Sequence, residues 1–230
     1  MRAAVAGAIG VLVAIASWPT TRLVGVDYVV GRERVPLWKK ASEFVERDSR
    51  LRQASREVLG GVTGSEAKAT AALAWTRSTI RHAPAGLPVI DDHITSIIER
   101  GYGEADQLAD VFSTLLTYDG VPAYWRAFGK SPNVLPVSFV EIDAAWRMFD
   151  VARGLAFRNQ RGQLAAIEEI AGDLTIVERA LHEAGIADPQ RYLSFFRGFR
   201  ASPPPRVLRA ELQMPWRRLT FELRKVMGAP

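Results

Sequence analysis

Cysteine is absent from all 230 residues, and that absence removes more chemistry than any other feature of the composition. Without a thiol the chain can build no disulfide framework, no zinc ribbon and no cysteine nucleophile. The compartment stays open, because exported bacterial proteins often lack cysteine as well. Histidine is scarce: His82, His93 and His182 show no ligand spacing. Asp91 and Asp92 beside His93 are the most metal-like cluster, but adjacent residues cannot all face one ion without a turn. A helix cap with a locally hydrogen-bonded His is the plainer reading there, so no metal and no cofactor is expected. There is no internal repeat, and no apolar run reaches the ~20 residues of a full membrane span.

What is present is a globular composition, 48% hydrophobic, in a chain long enough for one domain with extensions. The formal charge of +5 is concentrated late. After residue 190, Arg191, Arg197, Arg200, Arg206, Arg209, Arg217, Arg218, Arg224 and Lys225 stand against only Glu211 and Glu222. So local an excess, with no recognised nucleic-acid module, argues against a nucleic-acid partner.

At the other end Met1-Arg2 precedes the apolar run AAVAGAIGVLVAIASW, with small residues at Ala14-Ile15-Ala16. A basic start and a short apolar stretch fit a secretory signal; an uncleaved anchor and a buried first helix are the competing readings. Either exported form leaves the bulk of the protein outside the cytoplasm, periplasmic or exported, and free or tethered to the inner membrane.

Further along, Val24 to Val30 has the branched content of a strand ended by Gly31, and Pro36 opens a helix that runs or restarts through Leu59. Thr63 to Glu66 reads as a capping box for a helix through Ile80, with Trp75 as a packing anchor. Pro84, Gly86 and Pro88 mark a loop, and Ile94 to Ile98 is a short apolar segment. Tyr124 to Phe128, Val137 to Ile142 and Trp146 to Val151 read as strands; Gly129 to Pro132 is a turn, and Asp143-Ala144-Ala145 closes the second hairpin. Leu164 to Ile170 and Thr175 to Ala184 look helical, the latter with a capping box at Thr175 and Glu178, and Asp188-Pro189 begins another short helix. Val207 to Met227 forms a basic amphipathic helix that Pro215 kinks or divides.

Between these parts lies the stretch GEADQLADVFSTLLTYDGVPA, residues 103 to 123. Ala105, Leu108, Ala109, Phe112, Leu115 and Leu116 recur three and four apart, which predicts a buried helix ended by Gly120 and Pro122. Glu104 and Asp106 put negative charge at its free N–H groups. A nucleophile often sits at such a helix tip, where backbone donors can stabilise an oxyanion; here Ala105 holds the place.

The order of a helix with this tip, a Gly120-Val121-Pro122-Ala123 exit and a strand pair ending in Phe149-Asp150 resembles the transglutaminase-like superfamily, over about residues 60 to 155. That resemblance implies an α+β, papain-like core of helices on an antiparallel sheet. In that family a Gly-x-Cys motif opens the helix, a His-x-Trp-x-Glu motif begins a strand, and an Asp follows a Trp on the next. Counting back from Pro122 puts the nucleophile's place at Ala105, and counting back from Glu141 puts the His place at Val137. Asp150, behind Trp146 and Phe149, matches the third member. The family mechanism needs a thiolate beside an imidazole oriented by the Asp, and two of those roles are empty here.

The resemblance therefore implies a catalytically degenerate member, with residues 1–20 as signal or anchor, 21–60 as a strand and helical region, 61–155 as the core and 156–230 as a helical extension. A partner-binding or structural role at the bacterial envelope follows, with Trp216, Arg217, Arg218 and Phe221 as contact candidates. Two other readings stand beside it. One is a hydrolase or transferase on cell-wall peptide or polysaccharide, rewired around Glu104, Asp106, His93 or Asp150; the other is a membrane-surface module resting its basic helix on anionic lipid.

Overall fold

The computed structural model describes residues 10, 13–26, 29–84, 92–130, 133–197, 199 and 201–227. Most of the export-like run, Asp91, the loop at Gly86 and Pro88, and Ser131-Pro132 lie outside these residues. No helix among the described residues is long and apolar enough to cross a membrane.

Residues Pro19–Val26 (β1) and Val29–Pro36 (β2) pair antiparallel, so the single strand expected near Val24 is a hairpin that starts earlier and runs straight into the next helix. That helix, α1 (Leu37–Leu59), is continuous. Helix α2 (Ser65–Thr79) follows, but its N-cap is Gly64 at φ 86°, without a side-chain cap bond, so the expected Thr63–Glu66 box does not form. Two residue pairs, Arg81–His82 (β3) and Tyr102–Gly103 (β4), run parallel on either side of α3 (Ile94–Arg100). The N-cap of α3 is His93, again without a side-chain cap bond.

Helix α4 (Ala105–Tyr118) is the predicted core helix, and it ends where expected: Val121 N–H bonds back to the Leu116 carbonyl, and Gly120 takes φ 82°. Strands β5 (Ala123–Lys130), β6 (Asn133–Ile142), β7 (Ala145–Asp150) and β8 (Leu155–Ala156) then form one antiparallel sheet in chain order. Asp143 and Ala144 both have positive φ (52° and 58°), the two-residue turn that matches the twist of a hairpin.

The alternation along β6 sorts side chains into two layers. Val140 and Ile142, with Phe149 of β7, join Phe112, Leu115 and Leu108 of α4 and residues of α1, α2 and α3 in one apolar cluster. Trp75 packs at its margin, as expected. Val137 and Phe139 point the other way, into a second cluster that also contains Ile170, Val177, Tyr192 and Phe196.

That second cluster is supplied by α5 (Ile167–Gly172), α6 (Thr175–Glu183) and α7 (Pro189–Ser194). Helix α5 begins three residues later than the sequence suggests, because Leu164 is held in a bridge to Arg158. At α6 the capping group is Asp173, which accepts from Thr175 N–H (3.0 Å) and Oγ1, in place of the expected Thr175–Glu178 box. Pro215 divides the last segment into a 3-10 turn (Ala210–Gln213) and α8 (Pro215–Val226). The whole is α+β: an antiparallel sheet between two helical layers, with a helical C-terminal extension.

Candidate functional site

The tip of α4 is organised by Gln107, which is buried. Its Oε1 accepts from the Glu104 N–H (3.0 Å) and from Arg100 Nη2 (2.7 Å), and its Nε2 donates to Asp92 Oδ1. Arg100 Nε in turn donates to the Tyr102 carbonyl at 2.7 Å. Gly103 makes room for this: a Cβ there would lie 2.9 Å from Gln107 Oε1. Gln107 thus closes the helix start.

Ala105 stands at this tip with a methyl group and no acid–base capacity. Glu104 comes within 3.9 Å of His82 Nε2, with both side chains largely exposed, and Asp106 is exposed beside it. Asp92 and His93 are not joined by further ligands: among the described residues no three His, Cys, Asp or Glu side chains gather.

Asp150 and Val137 share a face of the sheet, one step along from the Ser138–Phe149 pair. That face points away from α4, so the two positions lie toward the second layer while Ala105 begins a helix packed on the first. Both are completely buried. The carboxylate Glu104, Asp106 and Asp150 offered by the sequence therefore do not gather on one side of the sheet. Ser138, beside the Val137 position, faces α4 and donates from Oγ to the Ala109 carbonyl at 3.4 Å.

Asp150 is fully satisfied. It accepts from the Arg153 N–H (3.0 Å), from Arg153 Nη1 (2.9 Å) and from Tyr192 Oη (3.0 Å). Two of these donors belong to the turn that follows β7, through the backbone and the guanidinium of Arg153. The Arg153 guanidinium lies 5.2 Å over the Tyr192 ring, and burial followed by the neighbouring Asp150 carboxylate pushes the Tyr192 phenol well above its ordinary range. It stays a neutral donor.

No family model and no curated protein matches this chain. Its structure is remotely similar to solved ones that include the following three. A proposed cysteine protease from Cytophaga hutchinsonii is 15% identical at a TM-score of 0.41, over 56% of this chain and 48% of that one. A proposed protease from Parabacteroides distasonis is 8% identical at 0.37, over 56% and 35%, and a TGase is 13% identical at 0.38, over 74% and 53%. The chain thus spans between about a third and about half the length of these structures.

A second polar centre was not legible in the sequence. Asp110 on α4 is nearly buried and pairs with Arg209 Nη2 of the C-terminal segment at 3.0 Å, beside a cavity of about 420 Å³ that Trp125 also lines. Burial raises the Asp110 carboxyl above its usual range, against the opposing pull of Arg209 and the Trp125 indole. Nothing in a local pattern links positions this far apart, so only the fold reveals the pair. It straps the C-terminal segment to α4, helped by Arg126 Nη2 donating to the Pro203 carbonyl (2.8 Å).

Of the four contact candidates, Trp216 is 78% exposed, while Phe221 is half-buried. Arg217 stands 3.9 Å from Glu211, and Arg218 pairs with Glu222 at 2.7 Å. The structure thus separates half-buried Phe221 from Trp216, which faces outward.

Proposed function

We propose that this chain is a catalytically silent transglutaminase-like module that works by docking, as a partner-binding or structural subunit at the bacterial envelope. The observation that supports this best is the state of the three matched positions. Ala105 has no nucleophilic atom, Val137 has no proton acceptor, and Asp150 is sealed at 0% exposure under Tyr192 and Arg153. An Asp that orients a catalytic imidazole must present an oxygen to that ring. Here the available oxygens are bound by groups of the chain itself, and the layer in which a His side chain would sit is filled with apolar residues. The same polar handle is kept for stability.

Docking is assigned to the C-terminal extension, with Trp216, Arg217 and Arg218 exposed for contact and Phe221 holding the helix in place. The export-like N-terminus supports a place outside the cytoplasm, periplasmic or tethered to the inner membrane. The test has two arms. The purified chain is incubated with cell-wall peptide and with glutamine-containing peptide plus an amine, and the products are followed by mass spectrometry. Turnover that D150A, E104A or D106A slows would overturn the silent reading. Deleting residues 206–230 is expected to remove partners from co-purification with native membranes, and an unchanged partner set rejects docking by this extension.

A further inference from the structure

Helix α8 is mounted with its apolar side outward. Trp216, Leu219, Leu223 and Met227 recur three and four residues apart and form one stripe. They are 78%, 46%, 50% and 71% exposed. Phe221 falls on the opposite side of the helix and is half-buried, where α8 packs against α1 and the 3-10 turn. An amphipathic helix on a globular surface ordinarily buries its stripe. Here half-buried Phe221 lies on the inward side and the stripe is left to an external phase.

The charges say which phase. Arg217, Arg218, Arg224 and Lys225 are all exposed and flank Phe221 on the side away from the stripe. Glu222 partners Arg218 and Glu211 stands near Arg217, whereas Arg224 and Lys225 make no ion pair among the described residues. An apolar stripe with an indole at one end, backed by basic side chains long enough to reach headgroup phosphates, matches a helix lying in the plane of an anionic bilayer. Against a second copy of the chain the same basic rim would meet itself.

We propose that α8 is an interfacial membrane helix, which rests its Trp216–Leu219–Leu223–Met227 stripe in a bilayer of anionic lipid and holds the protein body against it. This rests on the docking reading above and names what is docked to, and it stands or falls independently of whether the site is silent. A further pair of exposed indoles, Trp18 and Trp38, lies at the start of β1 and of α1, where Leu37 N–H bonds to the Trp18 carbonyl at 2.9 Å.

The experiment is co-sedimentation of the full chain with phosphatidylcholine vesicles and with phosphatidylcholine–phosphatidylglycerol vesicles, at low and high salt. Binding to the anionic vesicles is expected, weakening as salt rises. L219S/L223S is expected to lower the partition coefficient about tenfold or more, because two exposed leucines no longer enter the apolar phase. R224Q/K225Q is expected to lower it by about fivefold per charge on anionic vesicles, and far less on neutral ones. These side chains are exposed, so unchanged circular dichroism and thermal midpoint will show that the variants fold. Absence of sedimentation with anionic vesicles at low salt overturns the proposal. So does full binding by L219S/L223S, which would assign the membrane contact to another segment such as residues 1–16. A dimer in sedimentation velocity that L219S/L223S abolishes, without vesicle binding, would hand the stripe to a second copy instead.

Discussion

Tyr192 Oη donates to Asp150 Oδ2 at 3.0 Å, from a helix of the C-terminal extension to the last residue of β7. The contact ties the extension to the sheet through a carboxylate that has no exposure to solvent.

Removing that hydroxyl leaves the carboxylate short of a donor. Y192F is expected to cost about 1–3 kcal/mol at neutral pH, the range for a hydrogen bond lost at a buried charged group, read as a lower urea midpoint with an unchanged slope. The phenol is also held above its usual value of 10.0, chiefly by burial. The folded state therefore keeps this proton more tightly than the unfolded chain does. Its contribution is complete below about pH 10 and disappears as the pH climbs through the raised value. The native protein should lose stability more steeply than Y192F above about pH 10; parallel alkaline curves would contradict this. The Tyr118 phenol, raised by burial as well, leaves some alkaline sensitivity in the variant.

The Asp110–Arg209 pair is tested by a double-mutant cycle. R209A leaves the Asp110 carboxyl nearly buried without its ion-pair partner, with an expected cost of about 1–2 kcal/mol, less than a fully buried pair because the Arg209 side chain is 58% exposed. In the D110N background the same substitution should cost far less. Because burial raises the Asp110 carboxyl from 3.8, the folded state favours its protonated form. That advantage is present in acid and is lost as pH rises through the raised value. The stability of the native chain relative to D110N should therefore improve on acidification; a difference that is flat with pH, measured by urea unfolding at several pH values, would contradict it.

Restoring the missing residue types should not restore their chemistry. V137H places an imidazole in a fully buried apolar layer and is expected to cost about 2–4 kcal/mol. Adding it to A105C should leave the pH profile of thiol alkylation unmoved, since residue 137 faces the layer opposite α4. A profile shifted to lower pH in A105C/V137H relative to A105C would show that the two positions meet.

Gly129 is the fourth test. It sits at φ 93° where a Cβ would lie 2.3 Å from the Asn133 carbonyl oxygen and 2.8 Å from Phe195 Cε1. G129A is expected to destabilise by about 1–3 kcal/mol, since backbone cannot give way as a flexible side chain can. An unchanged thermal midpoint would contradict this.

The α4 helix and strands β5, β6 and β7 were legible because their signals are local: apolar spacing of three and four in residues 105–116, alternation in residues 137–142, and Gly120 with Pro122 at the exit. Caps were less legible. Thr63 and Thr175 have good capping-box sequences, but neither caps its helix, because Gly64 begins one and Asp173 serves the other. Leu164 has helical spacing yet is drawn into a bridge by Arg158. Cap and bridge choices differ by about 1 kcal/mol, so tertiary contacts decide them.

By itself, the sequence determined that no thiol exists, that residues 105–116 carry apolar side chains at helical spacing, and that residues 105 and 137 carry a methyl and an isopropyl group where the resemblance puts a nucleophile and a base. Covalent identity and short-range periodicity carry that much. Only the tertiary structure decided that Val137 and Asp150 face the layer away from α4, that Arg153 and Tyr192 satisfy Asp150, that Arg209 reaches Asp110, and that α8 turns its stripe outward. Those are pairings and orientations across long loops, set by which faces bury together, and burial is a property of the assembled layers rather than of any local run of residues.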